Sequence, residues 1–104
     1  MNRLAFKMHL KPGQIAEYKK RHDTIWPELV ELLRESGISE YSIFLDQGTG
    51  TLFAFQKVHG DGGSQELSDH PVVRKWWAYM ADIMETNPDH SPVSVPLEEV
   101  FFME

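Results

Sequence analysis

The chain predicts an α+β fold in the order β-α-β-β-α-β, the split βαβ or ferredoxin-like arrangement, with a four-stranded antiparallel sheet and helices on one face. Three observations carry that reading. Apolar residues alternate with a period of two in short stretches, amphipathic stretches of helical period lie between them, and Pro and Gly mark the joins. At 104 residues, 1–104 forms a single domain around one core.

The elements follow in order. Arg3 to Leu10 puts Leu4, Phe6, Met8 and Leu10 on one side and Ala5, Lys7 and His9 on the other, as a strand does. Pro12-Gly13 ends it. A helix begins near Gln14 and carries Ile15, Tyr18 and His22 on its inner face, at spacings of three and four. Pro27 would clash with the carbonyl of Asp23, so the helix breaks there; proline then suits the first turn of a new helix carrying Leu29, Leu32 and Leu33, with Gly37 as its cap. Glu40 to Asp46 is a second strand with Tyr41, Ile43 and Leu45 on one face. Gln47 to Gly50 is a turn, and Thr51 to Val58 returns as the partner strand of a hairpin. Gly60 to Gly63 is loop. Pro71 opens a helix running through Trp76, Trp77 and Met80 to Met84. Thr86 to Pro96 contains Pro88, Pro92 and Pro96 and is expected to be irregular, and Glu98 to Met103 supplies the last strand. Phe44, Phe53, Phe55 and either Phe101 or Phe102 fall on the face away from Ile43, Leu52 and Ala54. Helices cover only one face, so the aromatic second face predicts a homodimer packed sheet against sheet.

Composition narrows the function classes. Sixteen acidic residues against ten basic give a net charge of -6, with no basic stripe, so a nucleic-acid partner is not expected. With no cysteine there is neither a disulfide framework nor a thiolate site. No apolar run reaches bilayer length, and Lys7, His9 and Lys11 interrupt the N-terminal apolar stretch; the expectation is a cytoplasmic protein with no membrane partner.

His22 stands out chemically because it shares an inward stripe with Tyr18. An imidazole near neutrality gives or takes a proton at working pH. Its place at a helix C-terminus raises its pKa and burial lowers it, and the sequence leaves that balance open. Trp76-Trp77 has two readings. Adjacent helical residues point about 100° apart, so one indole sits in the core and the other outside, or the pair walls a pocket for a sugar ring. The Thr86 to Ser94 segment is either a loop held by Asx and Ser turns or a rim on a ligand site. His9, His22, His59, His70 and His90 are scattered without metal-ligand spacing, so no metal is expected. Gly60, Gly62 and Gly63 lack the lysine of a phosphate loop, and no serine has a nucleophile-elbow context.

Together these residues closely resemble the L-rhamnose mutarotase family over nearly the whole chain. The resemblance lies in Tyr18-x-x-Arg21-His22-x-x-Ile25-Trp26-Pro27-Glu28-Leu29, in Tyr41, and in Trp76-Trp77 with Tyr79-Met80. It continues through Asn87-Pro88-Asp89, Ser91-Pro92-Val93-Ser94 and Glu99-Val100-Phe101. It is thinnest between Val58 and Ser68, where this chain is Gly-rich; that bears on a local helix there and not on the site. The resemblance implies a dimeric α+β barrel that interconverts the α and β anomers of L-rhamnopyranose without a cofactor. It further implies His22 as the proton donor and Tyr18, Tyr41, Trp76 and Trp77 as sugar-binding residues. Mutarotation also needs a second proton transfer, and Tyr18, Tyr41, Asp89 and a bound water are the candidates. Two alternatives remain: a small cofactor-free monooxygenase on the same fold, and a non-catalytic sugar-binding dimer.

Overall fold

The computed structural model describes residues 2–60 and 62–104. Its strands are β1 (Asn2–His9), β2 (Ile38–Asp46), β3 (Thr51–Val58) and β4 (Val95–Leu97), and its helices are α1 (Ile15–Asp23), α2 (Pro27–Glu35) and α3 (Pro71–Met80). The four strands form one antiparallel sheet in the order β2-β3-β1-β4, as the split βαβ arrangement requires. The period-two pattern is realised directly. Phe6, Met8, Leu52 and Ala54 are buried on the helical side, against Tyr18, Leu29, Val73, Trp76, Trp77 and Met80.

Pro27 separates α1 from α2 as its chemistry demands. Trp26, the residue before it, is extended (φ -62°, ψ 127°), and the proline takes the first turn of α2. Gly37 follows α2 in the left-handed region at φ +86°, and a Cβ there would stand 2.4 Å from the His59 carbonyl oxygen. Only glycine lets β2 start this close to the end of β3, where the His59 N–H donates to the Gly37 carbonyl at 2.8 Å.

Two expectations are corrected. The last strand is Val95–Leu97 and not Glu98 to Met103. It pairs Val95 with Lys7, Pro96 with Phe6 and Leu97 with Ala5; as an edge strand, it accommodates a proline. Glu98 to Met103 runs on as an exposed tail with no strand partner among the described residues, anchored where Arg3 pairs with Glu99 at 2.6 Å and lies over the Phe102 ring at 3.4 Å. The third helix ends at Met80, short of Met84. The apolar residues beyond it serve the sheet end instead: the Ile83 carbonyl accepts from the Lys11 N–H, and Met84 bridges Leu10.

The strand β2 carries a β-bulge. Ser39 pairs with Lys57 and Ser42 with Phe55, so β2 has one residue more than β3 between those pairs, and Glu40 within it is left-handed at φ +45°. The extra residue shifts the strand's phase, so Ile38 joins Tyr41, Ile43 and Leu45 on the helical side. Tyr41 keeps the period of two with Ile43 and Leu45, as its spacing predicts.

Candidate active site

A cavity of about 800 Å³ opens between the three helices and the β2–β3 hairpin. The structure brings Tyr18, His22, Tyr41, Trp76 and Trp77 together on its wall. Ile15, on the same stripe of α1, also reaches it but remains partly exposed.

His22 is held on three sides. Its ring stacks on Tyr18 with centroids 4.2 Å apart, and Trp76 meets it edge-on at 5.4 Å. Its Nδ1 lies 3.0 Å from the Tyr18 carbonyl oxygen, one helical turn back. A carbonyl only accepts, so Nδ1 carries the proton and Nε2 is left for a ligand. Burial pushes the His22 imidazole below its ordinary value and outweighs the raising effects of the Tyr18 carbonyl and Asp23. Burial thus favours the neutral imidazole at pH 7, with its proton on Nδ1.

Both tryptophans are buried and both line the cavity, so neither is a surface residue. The cavity is wide enough to receive two directions of one helix. Trp76 is fixed further by Trp26 at 5.1 Å and Tyr79 at 5.6 Å. Burial pushes the Tyr18 phenol well above its ordinary range, and the neighbouring Tyr41 phenol adds to the rise; burial likewise raises Tyr41. Both phenols stay protonated and present O–H groups.

Other parts were not singled out by sequence. Arg21, beside His22, makes a two-pronged contact with Asp82 at 2.8 and 3.2 Å and donates to the Tyr79 carbonyl at 2.7 Å. It ties the end of α1 to the end of α3, the two elements carrying the imidazole and the indoles. Gln56 lies 2% exposed on the apolar face of β3, bonded to Ser64, which lines the cavity beside Tyr41. Ser64 and Gln65, in a short 3-10 turn (Ser64–Glu66) just after the Gly-rich loop, contribute to the cavity wall. The clue was available: glutamine breaks the run Leu52, Ala54, Val58 at alternate positions of one strand face.

The Thr86 to Ser94 segment is a turn-held loop. Asp89 accepts from both the backbone N–H and the hydroxyl of Ser91, and Asn87 donates to the Ser91 hydroxyl at 3.0 Å. Asp89 is spent on that turn, and of this loop Pro92 lines the cavity. Among the described residues, no three His, Asp or Glu side chains group closely enough to hold a metal ion, and no helix is long and apolar enough to cross a membrane.

A family model described as L-rhamnose mutarotase matches residues 3–103. Curated proteins of that name are similar over the whole of both chains: one from Formosa agariphila at 65% identity and one from Bacteroides thetaiotaomicron at 64%. The crystal structure of an L-rhamnose mutarotase from Formosa agariphila superposes with a TM-score of 0.93 at 62% identity, covering 100% of each chain. The α+β fold read from the periodicity, the cavity that gathers Tyr18, His22, Tyr41, Trp76 and Trp77, and these matches lead to one conclusion: the chain belongs to the L-rhamnose mutarotase family.

Proposed function

We propose that this protein is an isomerase that interconverts the α and β anomers of L-rhamnopyranose, with His22 as its acid/base and Tyr18, Tyr41, Trp76 and Trp77 around the sugar. One observation carries the reading. A neutral imidazole, tautomer fixed by the Tyr18 carbonyl, offers Nε2 to a cavity walled by two indoles and two phenols. Flat indoles pack on the apolar faces and methyl group of a neutral deoxy sugar, and the phenols supply hydrogen bonds to its hydroxyls.

The proton accounting closes on one residue. The anomeric oxygen and the ring oxygen are both bonded to C1, so a single Nε2 reaches both. Neutral His22 takes the proton of the anomeric hydroxyl as the C1–O5 bond breaks and the anomeric oxygen becomes the aldehyde oxygen. The imidazolium then gives that proton to O5. The open chain turns about C1–C2, and reversal of the two transfers closes the ring on the other face. His22 is a proton donor only after it has been an acceptor. The experiment is NMR magnetisation exchange between the two anomeric protons of L-rhamnose. A non-catalytic sugar-binding protein would bind the sugar and leave the exchange at the buffer rate.

The pH dependence follows in sign. His22 must be neutral to begin the cycle, so the exchange rate is expected to be level above about pH 6.5 and to fall on acidification, with its midpoint below the ordinary histidine value. Stability moves the same way. An imidazole whose folded value is lowered lets the unfolded chain bind the proton more tightly. The stability linked to it is complete above about pH 6.5 and is lost as pH falls through the folded value. Rate profiles and urea melts between pH 4.5 and 8 check both; a rate that rises on acidification would contradict the neutral-base cycle.

We further propose a homodimer through the far sheet face. Phe44 is 61% exposed and Phe55 42% exposed, and their rings meet edge-on at 5.8 Å, an apolar patch the helices leave uncovered. Light scattering at micromolar concentration is expected to give twice the 12.0 kDa chain mass, and Phe44→Glu to shift it toward monomer. A monomeric parent would contradict the covered-face reading.

A further inference from the structure

We propose that Gln56 and Ser64 are positioning residues that act through Tyr41, forming a relay of hydrogen bonds that turns the Tyr41 hydroxyl into a fixed donor toward the ring oxygen of the sugar. The inference rests on the mutarotase reading and adds to it a group that stabilises the leaving oxygen.

The directions of the bonds can be worked out. The Ser64 backbone N–H, which can only donate, lies 2.8 Å from one terminal atom of Gln56, so that atom is the amide oxygen. The other terminal atom, 2.9 Å from Ser64 Oγ, is therefore the NH2, which also only donates. The Gln65 amide nitrogen approaches the same hydroxyl oxygen at 3.4 Å. Ser64 Oγ thus accepts on the sheet side, and its own proton turns to the Tyr41 hydroxyl oxygen, 3.5 Å away. That separation is long for a hydrogen bond and makes this step the weakest of the relay. With its oxygen accepting from Ser64, Tyr41 directs its own proton into the cavity.

The arrangement is built and not incidental. A buried glutamine on an apolar strand face carries a desolvation cost, and here both ends of its amide are used on Ser64. Ser64 comes this close because residue 63 is glycine: a Cβ there would stand 2.5 Å from Gln56 Oε1 and 2.8 Å from a Leu4 methyl. Tyr41 supplies the other half from β2, where it faces the cavity with Ile43 and Leu45 and reaches Ser64 Oγ. The whole construction ends at a single phenol that burial keeps protonated.

Its use follows from where charge develops. As C1–O5 breaks, negative charge gathers on O5 before His22 delivers the proton. A donor already aimed at that oxygen binds the transition state more strongly than the ground state. No proton leaves Tyr41.

The test measures anomer exchange at several rhamnose concentrations in four variants. Tyr41→Phe is expected to lower kcat by roughly 10²-fold, the usual loss for one such donor. Ser64→Ala is expected to lower kcat about 10-fold with KM nearly unchanged, and to cost nothing further when added to Tyr41→Phe. Gln56→Glu keeps an acceptor for the Ser64 N–H but replaces the donor with a second acceptor, drawing the Ser64 proton away from Tyr41; it is expected to match Ser64→Ala. The relay is overturned if Ser64→Ala slows the Tyr41→Phe chain as much as it slows the parent, or if it raises KM while kcat holds. Should Gln56→Glu fail to fold, the Ser64 and Tyr41 cycle decides alone. A parent at the buffer rate would reject the mutarotase reading and the relay with it, whereas an active parent with additive variants would reject the relay only.

Discussion

His22→Gln is expected to slow anomer exchange by about 10²–10⁴-fold, the contribution of one positioned general acid/base, while the chain stays folded. The structure explains why the two effects separate. A glutamine amide can still donate to the Tyr18 carbonyl that His22 Nδ1 now engages, and its bulk keeps much of the contact with Tyr18 and Trp76. It cannot take a proton from one oxygen and return it to another. The substitution also removes the half-buried imidazole, so the acid-side loss of stability linked to it should disappear. Exchange rates and urea melts on the same sample check both. A variant that exchanges anomers at the parental rate would remove His22 from the chemistry and leave the family membership untouched.

Trp76→Ala is expected to cost about 3–5 kcal/mol of stability, as truncation of a buried tryptophan does. For a chain of this length that lowers the melting temperature by roughly 10 °C or more. The indole is 8% exposed and meets His22, Trp26 and Tyr79 at once, so its loss opens a void where α1, α2 and α3 converge. Exchange activity should fall with it, because the same ring both walls the cavity and holds His22. Trp76→Phe keeps an aromatic ring in place and separates the roles: most of the stability should return, with a raised KM for rhamnose. Thermal melts and saturation curves on the two variants check the division. A Trp76→Ala chain melting with the parent would mean that the indole is not the packing centre described above.

Much of this was legible in the sequence because two periods are hard to mistake. Period two in Leu4, Phe6, Met8 and in Leu52, Ala54 gave β1 and β3, and the four-residue step from Tyr18 to His22 gave the inner face of α1. Pro27 was readable for the same reason, since its ring forbids the preceding helical bond. The ends failed where pattern and partner part company. The β-branched and aromatic run Val100 to Phe102 resembles a strand, yet Glu98 to Met103 has no strand partner among the described residues. Val95–Leu97 took the edge of β1 despite its proline. Ile83 and Met84 extend the apolar pattern of α3 because they pack and pair with the end of β1, a tertiary reason invisible in a helical stripe.

The site divided along the same line. Tyr18 and His22 were found because they are neighbours on one helix, and Trp76 with Trp77 because two adjacent indoles demand an explanation. Tyr41 was readable from its period-two spacing with Ile43 and Leu45, whereas the bulge that brings Ile38 to the same side rests on a left-handed glutamate that no local glycine announced. Ser64 and Gln56 meet across a Gly-rich turn, and Arg21 and Asp82 join the ends of two helices far apart in the chain. Such pairs become visible only when the chain is folded.

In the proposed cycle a half-buried, neutral His22 moves one proton between the two oxygens on C1 of L-rhamnose. NMR magnetisation exchange between the α and β anomeric protons, with parent and His22→Gln side by side at pH 7.5, tests it most directly. Catalytic amounts of parent are expected to raise exchange well above the buffer rate, and the variant to return it close to that rate. Exchange at the buffer rate with the parent, or equal acceleration by both chains, would contradict it.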